Sequence, residues 1–467
     1  MSEASTRTGH APQPGFASRQ DTSRLQREIQ RRVMLALPRL RRLAARLREA
    51  RRRVTGAPHV IEFFHQIDDA YSHLALEAIA TLGNLYDVEF RFHLVSQSDR
   101  LHAPEPDLLT AYARRDCALI APHYGLDFPT EPAPTRPESE ARVARLLAGL
   151  TRDPGFLEIA LEASRALWND DLPALDRLAD RVPVATETET AARIDAGNAL
   201  RRKKGHYSGG LFLYAGEWYW GVDHLHHLER RLIALGAARD ENATPRFDRP
   251  PLDPGARQND GRLTLEIFPS LRSPYTAMIF DRSMALARSV DVPVTLRPVM
   301  PMVMRGVPAP RAKGLYIMLD ALREAQHIGV PFGNMYDPIG RPVERGFSLW
   351  PFARDRGRGA QFLSSFLRAA FVDGQPTGTD EGLRAVVEAA GLSFDEAQEA
   401  LDSEDWREEL EANRQAMYDE LGLWGVPSYR LRGPAGEPDL CVWGQDRLWL
   451  VAAEIRRRLG EPDSTTD

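Results

Sequence analysis

The sequence predicts an α/β protein in which two similar domains follow a basic N-terminal helix. Apolar, strand-like segments at residues 62–64 and 88–95 recur 204 residues later, at residues 266–268 and 292–299. In both halves a helical segment lies between the two strands. One such match could arise by chance, whereas an ordered series of matches indicates an internal duplication.

Length and composition support a two-domain globular chain. At 467 residues the chain is long for one domain, and 43% hydrophobic with 27% charged residues allows sizeable cores. The net charge of −6 gives no reason to expect a nucleic-acid partner. No apolar run reaches the roughly 20 residues of a transmembrane helix. Two distant cysteines, Cys117 and Cys441, exclude a disulfide framework, and with no signal peptide in view they predict a cytoplasmic protein.

Residues 1–57 are predicted to hold a disordered start of about 18 residues and a basic amphipathic helix. From Arg19 to Arg53 there are 13 arginines against three acids. Apolar residues recur at helical spacing, and we expect an interruption near Pro38. Two interpretations stay open. The arginines contact an acidic partner or a membrane surface, or the helix packs on the protein with a solvated arginine face.

The two predicted domains span residues 58–236 and 262–460, with a proline-rich linker at residues 237–261. Each domain has the order strand, helix, strand, long helical stretch, hairpin and final helix. A β-α-β start with a β-β-α finish is the thioredoxin plan. The predicted fold class is therefore α/β, with two tandem thioredoxin-like domains that each carry a helical insertion. In the closing hairpins residues 205–208 align with 425–428 and residues 220–223 with 443–446.

The second domain contains a series of short motifs in a fixed order. They are Ser273-Pro274-Tyr275-Thr276, Arg297-Pro298, Tyr316 with Asp320 and Arg323, residues 329–332, Gly425-Val426-Pro427-Ser428 and Trp443-Gly444-Gln445-Asp446-Arg447. Over roughly residues 262–460 this series resembles the DsbA-like thioredoxin superfamily. The similar branch is that of the 2-hydroxychromene-2-carboxylate isomerases and kappa-class glutathione transferases.

The resemblance implies a binding site for glutathione as co-substrate. Ser273 would hold the thiolate, and a cis peptide bond between Val426 and Pro427 would offer its backbone to the ligand. Gln445 and Asp446 would bind the γ-glutamyl group, with helix capping as the simpler alternative. Tyr275 and Arg297 are the candidates for substrate contact. No metal site is predicted; the cluster of Asp223, His224, His226 and His227 lacks further ligands at a recognisable spacing.

A serine at the entrance of a helix favours a bound anion on physical grounds. Unpaired backbone N–H groups and the positive end of the helix dipole meet there. Lowering a thiol pKa from about 8.5 to about 7 takes about 2 kcal/mol. A helix terminus supplies about 0.3–1 kcal/mol, and a hydroxyl that donates to a charged sulfur about 1.5–3 kcal/mol. The alternative is that Ser273 only caps the helix, with Pro274 as its first residue.

The first domain is predicted to be a degenerate partner. Asp69 aligns with Ser273, and a carboxylate beside a ligand sulfur raises the sulfur's pKa. Tyr207 aligns with Pro427, where a non-proline cis bond would be costly. The fusion would then form an intramolecular pseudo-dimer.

Three functions remain open. The leading hypothesis is a glutathione-dependent isomerase or transferase that acts on an electrophilic aromatic or unsaturated small molecule. The alternative is a non-catalytic scaffold that binds a peptide or a protein. A disulfide oxidoreductase is disfavoured, because Ser273 and Thr276 occupy the positions of both redox cysteines.

Overall fold

The computed structural model describes residues 23–150 and 154–460; the predicted disordered start lies outside them. The described residues group into two compact units. Residues 37–255, 310–316 and 446–460 form the first unit, and residues 23–36, 256–309 and 317–445 form the second. Among the described residues, no helix has the length and apolar character needed to cross a membrane.

The chain begins with a long helix, α1 (Arg24–Thr55). It starts after Ser23 because the Ser23 hydroxyl accepts the N–H of Gln26 and the Gln26 side chain accepts the N–H of Ser23. Pro38 lies inside this helix, so the predicted interruption was wrong. The helix continues because a proline removes one hydrogen bond of a ladder that the neighbouring turns maintain.

The first unit contains a four-stranded mixed sheet with strand order β2-β1-β3-β4. Strand β1 runs parallel to β2 and antiparallel to β3, and β3 and β4 form a hairpin. The elements are β1 (Val60–Gln66), α2 (Ala70–Leu85), β2 (Glu89–Val95), α3 (Pro106–Tyr124), α4 (Pro137–Leu150), α5 (Phe156–Trp168), α6 (Leu172–Arg181), α7 (Glu187–Lys203), β3 (Leu211–Tyr214), β4 (Glu217–Trp220) and α8 (Leu225–Ala234).

The second sheet repeats this order and these directions as β6-β5-β7-β8. Glu62 pairs with Arg91 across β1 and β2, and Glu266 pairs with Thr295 at the same offset of 204 residues. The elements are β5 (Thr264–Phe268), α9 (Pro274–Ser289), β6 (Val294–Leu296), α10 (Arg311–His327), α11 (Arg341–Ser348), α12 (Trp350–Asp355), α13 (Gly359–Arg368), α14 (Asp380–Ala389), α15 (Phe394–Ala397), α16 (Trp406–Asp419), β7 (Ser428–Arg432), β8 (Leu440–Trp443) and α17 (Leu448–Arg458).

The boundaries of the units differ from those of the predicted domains. Residues 23–36, which include the first part of α1, group with the second unit, and residues 237–255 of the predicted linker group with the first. Residues 310–316, which open α10, group with the first unit, and so does the final helix α17.

The predicted linker is also more ordered than a free spacer. It contains no helix or strand, but the Glu229 carboxylate accepts the N–H groups of Arg246 and Phe247, and the Phe247 ring is buried.

The helical insertion of the second unit forms a core that supports the start of α9. Trp350, Phe362 and Phe366 are buried in one cluster with Leu271, from the loop before α9, and Phe280, from α9 itself. Burial of side chains of this size stabilises each by about 1.5–3 kcal/mol. The insertion therefore fixes the loop that carries Ser273.

Candidate functional site

Ser273 is the N-cap of α9. Its backbone is extended, with φ −91° and ψ 118°, and its Oγ accepts the N–H of Thr276 at 3.1 Å. Pro274 occupies the first helical turn, where the missing N–H costs no intrahelical bond. The Ser273 hydroxyl also donates to the carbonyl oxygen of Val426 at 3.3 Å.

That hydrogen bond joins the start of α9 to the residue pair before β7. The Val426–Pro427 peptide bond is cis, and the Pro427 carbonyl accepts the N–H of Gly444 at 2.9 Å. The structure therefore brings together the hydroxyl and the backbone pair that the sequence singled out. A serine hydroxyl has one proton to donate, so a ligand sulfur would compete with the Val426 carbonyl for it.

Several buried polar atoms of the second unit have no hydrogen-bond partner among the described residues. Three of them belong to residues in or next to the motifs of the predicted site: Oγ1 of Thr276, Oγ of Ser270 and Oε1 of Gln445. A buried polar atom without a partner costs about 1–3 kcal/mol. Sequence reasoning noted Thr276 only as the position of a redox cysteine, and it missed Ser270. The available signal was the position of Ser270 in the sequence, three residues before Ser273. In the structure the Ser270 carbonyl accepts the N–H of Ser273.

Tyr275 is held by an acid from the insertion. Its hydroxyl donates to Oδ2 of Asp320 at 2.9 Å, and Arg323 donates to Oδ1 of the same carboxylate at 2.6 Å. The first unit has the same contact at the same offset, because the hydroxyl of Tyr71 donates to Asp116 at 2.8 Å. The tyrosine–aspartate pair is thus a repeated structural feature of both halves.

Arg297 is engaged within the sheet. Its guanidinium donates twice to Oε1 of Glu266, at 3.0 and 2.8 Å, and reaches Oδ1 of Asn413 at 3.5 Å. Arg430 on β7 binds the other oxygen of Glu266. These contacts connect β5, the end of β6 and α16, and they give Arg297 a structural role. Its expected contact with substrate stays a prediction.

The two residues expected at the γ-glutamyl group fall in different units. Gln445 is buried in the second unit, whereas Asp446 belongs to the first, where its carboxylate lies 3.5 Å from Arg447. Arg447 is buried and donates to Asp116 at 2.6–3.0 Å and to Asp223 at 2.7 and 2.9 Å. Burial alone would lower the pKa of Arg447, but the carboxylates of Asp116 and Asp223 raise it well above its ordinary value.

Two members of the cluster of Asp223, His224, His226 and His227, where no metal site is predicted, have protein partners within the first unit. Asp223 is bound by Arg447, and Nδ1 of His224 accepts the N–H of Trp220 at 2.9 Å.

Cys117 is fully buried, and burial raises the pKa of its thiol well above the usual value. That environment suits a small apolar side chain better than a nucleophile.

In the first unit a carboxylate stands at the position of Ser273. Asp69 caps α2 and accepts the N–H groups of Tyr71 and Ser72 at 3.3 and 3.1 Å. Burial, reinforced by the nearby Asp68, raises the pKa of Asp69 to about 7.

The alignment of Tyr207 with Pro427 was wrong by three residues. Phe64 pairs with Leu211 and Phe268 with Ser428, so Gly210, not Tyr207, corresponds to Pro427. The Gly210 carbonyl accepts the N–H of Gly221 at 2.8 Å, as Pro427 accepts from Gly444. A Cβ atom on Gly210 would lie 3.1 Å from the Asp69 carboxylate. The register is set by strand pairing, which the residue types of the hairpin do not reveal.

Known structures resemble part of this chain. A probable DsbA oxidoreductase from Streptomyces coelicolor is 19% identical, with 44% of this chain and 93% of that chain covered at a TM-score of 0.33. A 2-hydroxychromene-2-carboxylate isomerase is 19% identical over 42% and 95% of the chains, at 0.33. The cytosolic disulfide reductase DsbM from Pseudomonas aeruginosa is 23% identical over 42% and 100%, also at 0.33. Similarity at this level does not specify an activity.

No curated protein matches the chain. Residues 264–456 match the family model of the DSBA-like thioredoxin domain. This span contains both β5, with the Ser273 loop after it, and the β7–β8 hairpin. The C-terminal part of the chain, residues 264–456, is therefore similar in sequence to DSBA-like thioredoxin domains.

Proposed function

We propose that the second domain binds glutathione with its sulfur at Ser273 and uses it in an isomerase or transferase reaction on an electrophilic aromatic or unsaturated small molecule. One observation carries the proposal. The Ser273 hydroxyl lies at the start of α9 and 3.3 Å from the Val426 carbonyl, beside Pro427. A hydroxyl and helix N–H groups at one point favour a bound anion.

The polar atoms of the domain fit such a ligand. Oγ1 of Thr276 and Oε1 of Gln445 are buried without a hydrogen-bond partner among the described residues. Thr276 lies one helical turn from Ser273, and its hydroxyl makes no hydrogen bond among the described residues. The hydroxyl is therefore available to bind a ligand atom at the start of α9. Glutathione would supply the sulfur nucleophile.

Ser273 has one chemical task in this proposal. Its hydroxyl turns from the Val426 carbonyl to the sulfur and stabilises negative charge there, which is worth about 1.5–3 kcal/mol for a charged acceptor. The helix terminus adds about 0.3–1 kcal/mol. Together these are enough to keep a thiol ionised near neutral pH, where an unperturbed thiol is protonated. Dithiol–disulfide exchange is disfavoured, because both cysteine positions hold hydroxyls.

The first unit enters the proposal as a second thioredoxin-like domain without this activity. Its sheet has the same strand order and directions, but Asp69 stands where Ser273 stands. An ionised carboxylate at that place repels a sulfur anion. The unit would act as the permanent partner of the second domain, an intramolecular pseudo-dimer in a cytoplasmic setting.

The experiment is turnover of an electrophilic probe, 1-chloro-2,4-dinitrobenzene, with glutathione. The glutathione sulfur forms a C–S bond to the aromatic ring and chloride leaves. Formation of the thioether product measures the reaction. We expect Ser273→Ala to lower kcat/KM by about 10–100-fold, which corresponds to the loss of one hydrogen bond of about 1.5–3 kcal/mol to a charged sulfur. Ser289→Ala, at the exposed C-terminal end of the same helix, is the matched control and should behave as wild type. Equal turnover by Ser273→Ala and wild type would remove the serine from the reaction. Absence of both turnover and glutathione binding would favour the peptide-binding scaffold.

A further inference from the structure

The helix α1 lies with its apolar side toward solvent. Eight large apolar side chains are exposed, among them Leu25 at 70%, Leu40 at 61%, Leu47 at 63% and Val54 at 87%. The others are Ile29, Val33, Leu35 and Leu43. All except Leu35 are spaced three, four or seven residues apart, so these seven form one stripe on the helix surface. A helix that packed in the usual way would bury this stripe.

The opposite side of α1 is the one that contacts the protein, through several arginines and the buried Met34. In the second unit Arg27 donates to the carbonyls of Asp337 and Ile339 at 2.6 and 2.9 Å, and Arg31 donates to Asn334 at 2.8 Å. These residues lie two positions from members of the stripe, which is about 200° around the helix. In the first unit Arg48 donates to the Ala215 carbonyl at 3.0 Å. Hydrogen bonds through arginines therefore hold the helix, and the apolar stripe is left for another partner.

The charges that border the stripe are positive. Arg32, Arg39, Arg46 and Arg53 recur every seven residues along one edge and are exposed, and Arg51 is exposed on the other. The only acids of α1, Glu28 and Glu49, are held by arginines of the same helix. A second copy of the chain would bring two arginine rows together with no carboxylate between them, which opposes self-association through this stripe.

We propose that the stripe of α1 is a docking surface for an anionic phospholipid bilayer. The helix is ~48 Å long at 1.5 Å per residue. Its aliphatic stripe can enter the boundary between headgroups and acyl chains over that length. Exposed arginines on both edges can reach lipid phosphates, which a guanidinium binds with two parallel hydrogen bonds. A planar lipid surface can contact the arginines on both edges of the stripe at once. A single acidic helix bound on the stripe would contact mainly the arginines of one edge. The association is peripheral, since the arginines keep the helix at the surface.

The test is sedimentation of the full-length protein with vesicles. Wild type should bind vesicles that contain about one third phosphatidylglycerol and not vesicles of phosphatidylcholine alone, and binding should weaken as salt rises. Leu40→Glu/Leu43→Glu should abolish binding. Arg39→Gln/Arg46→Gln should weaken it about thirtyfold, since each arginine near an anionic leaflet contributes about fivefold. Val184→Glu replaces an exposed apolar residue elsewhere and should leave binding unchanged.

Three results would overturn this proposal. The first is absence of binding to the anionic vesicles, including the case in which an acidic amphipathic peptide binds the helix instead. The second is vesicle binding that the Leu40→Glu/Leu43→Glu variant retains. The third is a dimer in analytical ultracentrifugation that the same variant dissociates, which would make a second copy the occupant. Both leucines are more than half exposed, so we expect the variants to fold. A circular dichroism spectrum that matches wild type checks this.

Discussion

Ser273 and Asp69 occupy the same place in two similar sheets, and each caps the helix that follows. The Ser273 hydroxyl can also donate, as it does to Val426, whereas the Asp69 carboxylate accepts two N–H groups. One side-chain difference therefore changes what the helix entrance can bind. The sequence identified both positions, since the offset of 204 residues holds from the first strand to the Tyr–Asp pair. It did not reveal that the Val426 carbonyl uses the serine proton.

The raised pKa of Asp69 makes a prediction about stability. The folded-state pKa of about 7 lies above the ordinary value of 3.8. The protonated carboxyl is therefore favoured in the folded state, and its stabilising contribution is present below about pH 4 and is lost as pH rises through 7. Asp69→Asn keeps a hydrogen-bond acceptor at the cap and cannot ionise. We expect the variant to be more stable than wild type at pH 8 by about 1–2 kcal/mol, a figure reduced because the side chain is partly exposed.

Urea denaturation at pH 8 and at pH 5 measures this difference. The advantage of Asp69→Asn should shrink at pH 5, where the wild-type carboxyl is protonated. An advantage that grows toward low pH would contradict the raised pKa.

At the scale of elements, the pattern of apolar residues predicted most helices and strands, but it did not predict the pairing register of β3. The strands, α2 and α9 follow from their apolar segments, and the amphipathic helices of the insertion follow from periodicity. The position of β3 did not, because similar residue types in the two hairpins suggested an alignment three residues out of register. The orientation of α1 was also missed. Periodicity identifies an apolar face, but it does not say whether the protein or another partner covers it.

The contact of α17 with α3 gives a prediction for elements of the first unit. Arg447, just before α17, is the buried cation between Asp116 on α3 and Asp223. Removing the cation leaves two buried carboxylates without compensation, so Arg447→Met should lower the free energy of unfolding by about 3–5 kcal/mol. Arg457→Met, at an exposed arginine paired within the same helix, is the matched control and should change it by less than about 0.5 kcal/mol.

Denaturant titration of both variants checks this expectation. Adding Asp116→Asn to Arg447→Met should recover part of the loss, because one uncompensated charge is then removed. Equal stability of Arg447→Met and wild type would show that the buried charges do not hold α17.

At the scale of the whole molecule, two sheets of one topology differ in the chemistry at their helix entrances. Sequence repetition predicted the shared topology, because strand order follows from the order of matched segments. It could not predict which residues group together, since residues 310–316 and α17 are assigned to a unit by spatial contacts alone. The proposal for the two domains has a simple consequence for stoichiometry. One molecule of glutathione should bind per chain. At the entrance of α2, Asp69 replaces the serine hydroxyl that would donate to the sulfur, and its carboxylate, once ionised above about pH 7, repels a sulfur anion.

Calorimetric titration of the full-length protein with glutathione tests the central claim most directly, with Ser273→Ala and Ser289→Ala measured alongside wild type. The account predicts one site per chain in wild type and Ser289→Ala, and binding at least about tenfold weaker in Ser273→Ala, the loss of one hydrogen bond to a charged group. No binding by wild type, or equal affinity in wild type and Ser273→Ala, would contradict it.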